Sequence, residues 1–132
     1  VGILDLETIA GEERLIGDIS VSAQLNGDDF TVVGYENHIG QTYLGSDSQP
    51  LGQVLDGYGN NSDEGIEGAV QQRVIGTYLH GPLLPKNPKL ADLILIWSLE
   101  HKTSQSFTLE SLNDSFSNFA HMQAIERARL NR

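Results

Sequence analysis

The sequence predicts a mixed α/β fold in which the strands come first and the helices come last. Three observations carry this prediction. Residues 14–25 alternate between apolar and polar side chains, residues 30–35 are rich in β-branched and aromatic types, and apolar residues recur at helical spacing from residue 88 onward. A period of two marks a half-buried strand, and a period of 3.6 marks an amphipathic helix. The order of the elements, taken alone, indicates an α+β domain.

The strand-rich part is expected to cover residues 1–80. Its clearest strand runs from Arg14 to Leu25 and ends at the turn-forming residues 26–29. A second strand follows at Phe30–Tyr35, and the apolar opening Val1–Ile9 is expected to form another. Shorter strand segments are expected at 53–57, 65–72 and 73–79.

The helical part is expected to cover residues 86–132. Asn87 is suited to the N-cap of a first helix, and Pro88 to its first turn, where no N–H is needed. The apolar stripe of this helix is Leu90, Leu93, Ile94 and Trp97. Thr108 is expected to cap a last helix that runs to about Leu130, with cations in its final turn. The core-facing stripe predicted for that helix is Leu109, Leu112, Phe116, Phe119 and Met122 or Gln123.

The charge and the residue composition exclude several classes of partner and of active site. The 132 residues carry 18 acids and 8 bases, a net charge of −10, and residues 1–80 alone hold 13 of the acids and only Arg14 and Arg73 as bases. Such a chain is not expected to bind nucleic acid or an anionic membrane surface. The absence of cysteine excludes disulfides, thiolate metal sites and a cysteine nucleophile within these residues.

The chain opens on the apolar run Val1–Leu6 without an initiator methionine, which indicates a cut inside a larger protein. No signal peptide is visible, and no uncharged run approaches the ~20 residues of a membrane helix. We therefore expect no membrane insertion. A chain cut from a larger sheet would have an uncovered sheet edge and is also expected to self-associate.

Histidines are the natural candidates for proton transfer near neutral pH. His38 and His80 each follow an apolar strand and come shortly before a glycine, a placement that suits a site at strand ends. His101 and His121 lie in helical patterns and are expected to be structural or merely exposed. Glu36 and His38, together with His80, have the residue types of a zinc site, but no other feature supports one. Serine-hydrolase and phosphate-loop motifs are absent from the sequence.

Three motifs together resemble one enzyme family. They are Gly34-Tyr35-Glu36-Asn37-His38-Ile39-Gly40, Gly57-Tyr58-Gly59-Asn60-Asn61 and Gly76-Thr77-Tyr78-Leu79-His80-Gly81-Pro82 with the following Leu83-Leu84-Pro85-Lys86-Asn87-Pro88. The chain is similar to the CobB/CobQ-like, cobyric-acid-synthase-type class I glutamine amidotransferases. Within them it most resembles the GatD-type glutaminase subunits of lipid II isoglutaminyl synthase. This resemblance covers essentially the whole chain.

The resemblance implies a three-layer α/β/α flavodoxin-like domain, of which residues 1–132 would be the C-terminal portion, with a mixed sheet followed by C-terminal helices. It implies a cysteine nucleophile upstream of this chain, activated by a histidine that matches His80. Arg14 matches a glutamine-binding arginine, and Glu36 and His38 are implied as pocket residues. Pro82 stands where many class I enzymes carry a glutamate that orients the histidine, so the orienting acid must come from elsewhere.

The partners implied by the resemblance are glutamine and a Mur-ligase-like synthetase subunit of the MurT type, which would also hold ATP and Mg²⁺. No cofactor or metal is implied in the glutaminase subunit, which would be cytoplasmic. Without its cysteine, the chain alone is expected to be inactive. Two alternatives stay open: a relative that amidates a corrinoid, and a non-catalytic binding module with the same fold.

Overall fold

A computed structural model describes residues 2–130, which form a strand-rich body followed by helices. The strands are β1 (Leu6–Leu25), β2 (Asp28–Leu44), β3 (Gly52–Asp56), β4 (Ile66–Glu67), β5 (Ala69–Gln71) and β6 (Val74–Gly76). The helices are α1 (Leu83–Lys86), α2 (Pro88–Thr103) and α3 (Ser115–Leu130). This order confirms strands before helices.

A long hairpin of β1 and β2 dominates the sheet. Its turn is Asn26-Gly27, and both residues have positive φ, 55° and 86°, as a two-residue hairpin turn requires. β1 spans both of the strands predicted at residues 1–9 and 14–25. Its pairing with β2 is irregular between Ala10 and Leu15 and then resumes up to Leu25. Val1 lies outside the described residues.

The strand order of the main sheet is β2-β1-β3-β4, and β5 and β6 form a separate two-stranded sheet. Every strand pair in residues 2–130 is antiparallel, so the predicted mixed sheet is not present in this part of the chain. β1 and β2, and β5 and β6, are joined by two-residue turns, which return the chain antiparallel, and β3 and β4 join the sheet through loops without a crossover helix. The three-layer flavodoxin-like arrangement stays a prediction.

The core lies between one face of β1 and helix α2. Ile19, Val21 and Ala23 are fully buried, and they pack in one apolar cluster with Leu90 and Leu93 of α2. The predicted alternation of β1 and the predicted stripe of α2 are thus both confirmed. The polar face of β1 has one buried exception, Ser20, whose hydroxyl donates to Asp56 of β3 at 2.7 Å.

Asn87 links the helical part to the sheet. It occupies the predicted N-cap of α2, but its side chain makes no capping hydrogen bond. Instead, Asn87 Oδ1 accepts the N–H of Val33 at 2.8 Å, and Nδ2 donates to the carbonyls of Val33 and Leu83 at 2.8 and 2.7 Å. The buried amide therefore satisfies backbone groups of β2 that no strand pairs with.

The prediction for the last helix is wrong in its start and in its buried face. α3 begins at Ser115, not at Thr108, and Phe116 and Phe119 of the predicted core stripe are 89% and 67% exposed. The opposite face contacts the body, where Ala128 is buried and allows close approach. Polar contacts hold this face: His121 Nδ1 lies 2.8 Å from the carbonyl of Lys86, and Arg127 pairs with Asp18.

The last two residues, Asn131 and Arg132, lie outside the described part, so the predicted role of the Arg132 charge is untested there. None of the described helices is both long enough and apolar enough to span a membrane.

Candidate active site

His80 lies at the outer edge of β2, just beyond the end of β6. Its backbone pairs with Tyr35: the His80 N–H donates to the Tyr35 carbonyl at 2.7 Å, and the Tyr35 N–H donates to the His80 carbonyl at 3.4 Å. The preceding Leu79 is buried in the core, whereas the His80 side chain is exposed. The backbone is therefore anchored while the imidazole is accessible.

Arg14 lies in the irregular stretch of β1 between Ala10 and Leu15, and its side chain is exposed. This stretch faces β2 near Ile39, whereas His80 pairs with the other edge of β2. Within residues 2–130, no hydrogen bond or ion pair joins Arg14 to His80. Both predicted groups are thus exposed, Arg14 on the β1–β2 hairpin and His80 beside its β2 edge, with no direct hydrogen bond or ion pair between them among the described residues.

Glu36 is fully buried and organises a neighbouring turn. Its Oε1 accepts the N–H of Tyr58 at 2.8 Å, and its Oε2 accepts the N–H of Gly59 at 2.9 Å. The turn begins at Gly57, where φ is +111° and a Cβ atom would lie 2.8 Å from Glu36 Oε1. Glycine at 57 therefore permits both the backbone conformation and the close approach of the carboxylate.

His38 is 7% exposed and stacks on the ring of Tyr78, with the ring centroids 3.6 Å apart and the planes 4° from parallel. Its Nδ1 lies 2.8 Å from the carbonyl oxygen of Gly40. Because that oxygen can only accept, the contact assigns the proton to Nδ1. His38 Nε2 is buried without a hydrogen-bond partner in the described residues and lies 3.9 Å from Glu36 Oε2.

Glu67 is a functional candidate that the sequence analysis missed. It is fully buried, and its Oε1 accepts the Thr77 hydroxyl at 2.6 Å and the Tyr78 N–H at 2.9 Å. Its Oε2 is buried with no hydrogen-bond partner among the described residues. In the sequence, Glu67 is only a single acidic residue in a short segment of strand-like composition. Glu36, His38, Glu67 and Tyr78 are called the Glu–His cluster below.

Burial raises the pKa of both carboxyl groups in this cluster. For Glu36, desolvation outweighs the two backbone hydrogen bonds that lower the pKa, and the nearby Glu67 charge raises it further. For Glu67, desolvation outweighs the influences that lower the pKa, which are the Thr77 hydroxyl, the N–H groups of Tyr78 and Gly68, and the charge of His38. The cluster is therefore an electrostatically coupled unit that links β2 to β4 and to the segment after β6.

Replacing Glu67 with glutamine is expected to change the pH dependence of stability. Since burial raises the folded-state pKa of Glu67 above 4.5, the unfolded chain loses this proton first as pH rises. The free energy of unfolding contributed by Glu67 is therefore complete below pH 4.5 and is lost as pH rises through the folded-state pKa. Relative to the wild type, Glu67→Gln should become progressively more stable as pH rises from 4.5 through the raised folded-state pKa of Glu67.

Urea denaturation of both proteins at a series of pH values measures this difference. The exposed Glu12, replaced by glutamine, serves as the matched control and should follow the wild-type curve. Parallel pH curves for Glu67→Gln and the wild type would contradict the pKa direction.

The cavity beside the Glu–His cluster is small. A pocket of about 170 Å³ lies beside Tyr78, Thr42 and Asn60. A hydroxyl chain runs along it, in which Thr42 Oγ1 lies 2.8 Å from both Thr8 Oγ1 and Tyr78 Oη. The larger groove, about 740 Å³ between β6 and α2, contains none of the four predicted site residues.

Within residues 2–130, no three acidic or histidine side chains are gathered to hold a metal ion, so Glu36, His38 and His80 do not form the alternative zinc site.

Comparison with known proteins places the chain in a family. Residues 1–88 match the CobB/CobQ-like glutamine amidotransferase domain, a range that includes Arg14, His80 and the Glu–His cluster but not α3. The chain is 45% identical over 102 residues to the lipid II isoglutaminyl synthase (glutamine-hydrolyzing) subunit GatD of Staphylococcus aureus, covering 77% of this chain and 40% of that protein. It is 41% identical over 106 residues to GatD of Streptococcus pneumoniae, covering 79% and 39%.

A more distant match is the probable cobyric acid synthase of Methanothermobacter thermautotrophicus, 42% identical over 89 residues, which cover 61% of this chain and 17% of that protein. The chain thus spans about two fifths of the GatD relatives and a smaller share of the cobyric acid synthases. With two thirds of its residues under the family match, the chain belongs to the CobB/CobQ-like glutamine amidotransferase domain family.

Proposed function

We propose that this chain is the C-terminal portion of a glutaminase subunit that supplies ammonia for the amidation of lipid II. The observation that carries the proposal is identity of 45% and 41% to two GatD subunits over more than three quarters of the chain. The cobyric acid synthase match covers only 61% of the chain, which favours the cell-wall reaction over corrinoid amidation.

His80 is proposed as the general base and acid of this reaction. A cysteine thiolate, from a part of the subunit outside this chain, attacks the carboxamide carbon of glutamine to give a tetrahedral intermediate. The C–N bond breaks as the His80 imidazolium gives its proton to the departing nitrogen, and ammonia and a thioester result. Water then attacks the thioester as His80 accepts a proton from it, and the C–S bond breaks to release glutamate and regenerate the cysteine thiolate and the His80 imidazolium. The exposed imidazole on an anchored backbone supports this role.

Arg14 is proposed to bind the carboxylate of glutamine. Its guanidinium is exposed and has no ion-pair partner within residues 2–130, so it is available to a ligand. Planar paired donors suit a carboxylate. The ammonia is proposed to pass to a Mur-ligase-like synthetase subunit of the MurT type, which would hold ATP and Mg²⁺ and amidate the D-glutamate of lipid II. The acidic charge of residues 1–80 predicts basic contacts on that partner.

One experiment separates this function from its alternatives. The full-length protein, with the synthetase subunit, ATP and Mg²⁺, is expected to release ammonia from glutamine and to amidate lipid II. The isolated 132-residue chain is expected to release none, because it contains no cysteine. Glutamine hydrolysis by the isolated chain, amidation of a corrinoid in place of lipid II, or a full-length protein that is inactive with both acceptors would each overturn the proposal.

A further inference from the structure

The segment that carries His80 lacks regular secondary structure of its own. β6 ends at Gly76, and residues 77–79 belong to no strand or helix before His80 pairs with Tyr35. Backbone pairing of His80 alone with Tyr35 does not fix the path of residues 77–79 that precede it. The position of the imidazole must therefore depend on side chains that hold residues 77–79.

Glu67 holds this segment from inside the fold. One oxygen, Oε1, accepts both the Thr77 hydroxyl at 2.6 Å and the Tyr78 N–H at 2.9 Å. The Thr77 oxygen in turn accepts the N–H of Leu79 at 3.0 Å. A single buried carboxylate oxygen thus organises three consecutive residues that lead directly to His80.

Tyr78 is held at two further points. Its ring stacks on His38, which is itself fixed through Nδ1 to the carbonyl of Gly40 at 2.8 Å. The hydroxyl of Tyr78 lies 2.8 Å from the Thr42 oxygen. With its backbone on Glu67, its ring on His38 and its hydroxyl on Thr42, Tyr78 is the fixed point two residues before His80.

The composition of the cluster argues against a purely stabilising role. Glu67 Oε2 and His38 Nε2 are both buried without hydrogen-bond partners in the described residues. Buried polar groups left unsatisfied cost free energy, and apolar residues of similar volume would stabilise the same core better. An arrangement that costs stability while orienting one segment is the pattern expected of a functional site.

We propose that Glu67, supported by His38, is a positioning residue that sets the path of Thr77 and Tyr78 and thereby places the His80 imidazole against the cysteine nucleophile. This inference rests on the proposed glutaminase function. Because Arg14 and not Glu67 is proposed to hold glutamine, loss of Glu67 should affect turnover far more than substrate binding.

The test compares glutamine hydrolysis by full-length variants in complex with the synthetase subunit. Glu67→Ala is expected to lower kcat by about 10-fold or more, as misplacement of a catalytic group by about 1 Å can cost 10²-fold, with KM for glutamine changed by less than about twofold. Glu67→Gln keeps the accepting oxygen and should recover most of the lost kcat. The matched control Asp63→Ala removes a neighbouring exposed acid whose carboxylate does not contact the segment.

A second pair of variants tests the same link without emptying the core. Thr77 is exposed, so Thr77→Val removes the hydroxyl donated to Glu67 with little change in volume, whereas Thr77→Ser retains it. Thr77→Val should lower kcat, and Thr77→Ser should restore it. The alkylation rate of the nucleophilic cysteine by iodoacetamide at neutral pH should fall in parallel with kcat, because a misplaced His80 no longer promotes the thiolate.

Each outcome decides one question. If the wild-type complex releases no ammonia from glutamine, the proposed function itself fails. If the wild type is active while Thr77→Val and folded Glu67→Ala keep wild-type kcat and alkylation rate, the positioning role is overturned and the function stands. Equal loss of kcat in Glu67→Ala and Glu67→Gln would likewise overturn the role of the accepting oxygen.

Discussion

Ammonia release from glutamine is expected to fall by about 10²- to 10⁴-fold when His80 is replaced by alanine in the full-length protein, the range expected for loss of a general acid–base group. The physical reason is that the neighbouring imidazole, His38 of β2, is buried and bonded to the Gly40 carbonyl, so it cannot replace the exposed His80. The His80 side chain is exposed and makes no hydrogen bond within residues 2–130, so its removal should leave the fold and the synthetase contact unchanged. A coupled assay of glutamate production, with co-purification of the partner, measures both.

His101→Ala is the matched control for this variant. His101 is also exposed, but it lies in α2 and lines the groove with Trp97 instead of the edge of β2. Its removal should leave glutamine hydrolysis at the wild-type rate. Near-normal turnover in His80→Ala would refute the catalytic role of His80, and loss of partner binding would show that the side chain serves the interface.

Replacing Glu36 with alanine is expected to lower the free energy of unfolding by about 2 kcal/mol or more. A backbone N–H left buried without an acceptor costs about 1–3 kcal/mol, and Glu36 accepts one from the buried Gly59 and a second, part-buried one from Tyr58. Relief from burying a carboxylate offsets part of this cost. Urea denaturation at neutral pH measures the net effect.

Glu36→Gln should destabilise less than Glu36→Ala but should not match the wild type. Both carboxylate oxygens accept hydrogen bonds, so an amide nitrogen at either place would face an N–H donor. The exposed Glu13, replaced by alanine, is the control and should change stability by less than about 0.5 kcal/mol. A loss below 1 kcal/mol in Glu36→Ala would show that the turn at Gly57 does not depend on this carboxylate.

The site was only partly predictable because its contacts cross long stretches of sequence. Glu36, His38 and His80 were identifiable from their motifs, yet the stacking partner of His38 is forty residues away, at Tyr78. Glu67 carried no motif of its own and became significant only when the chain return at β4 placed it beneath Thr77. Such pairings depend on the register of the sheet, which the local pattern does not report.

The local sequence pattern was sufficient to predict the elements whose apolar periodicity or turn residues are clear. The alternation of residues 14–25, the Asn26-Gly27 turn and the α2 stripe each had one favourable structure, because apolar periodicity and turn geometry act within a few residues. The buried face of α3 was not predictable from its local pattern. Its aromatic stripe, including Phe116 and Phe119, is exposed, while Ala128 and the Arg127–Asp18 pair face the body.

The sequence by itself thus determined the family, the order of strands and helices, and the side chains suited to proton transfer and to anion binding. Only the tertiary structure decided that β1 is one continuous strand, that the described sheet is antiparallel, and that Asn87 serves β2 more than its own helix. It also brought the half-buried Tyr78 against the buried side chains of Glu36, His38 and Glu67 in one cluster. The physical reason is that burial and hydrogen-bond partners are properties of residues that meet in space, and these residues are up to 42 positions apart in the chain.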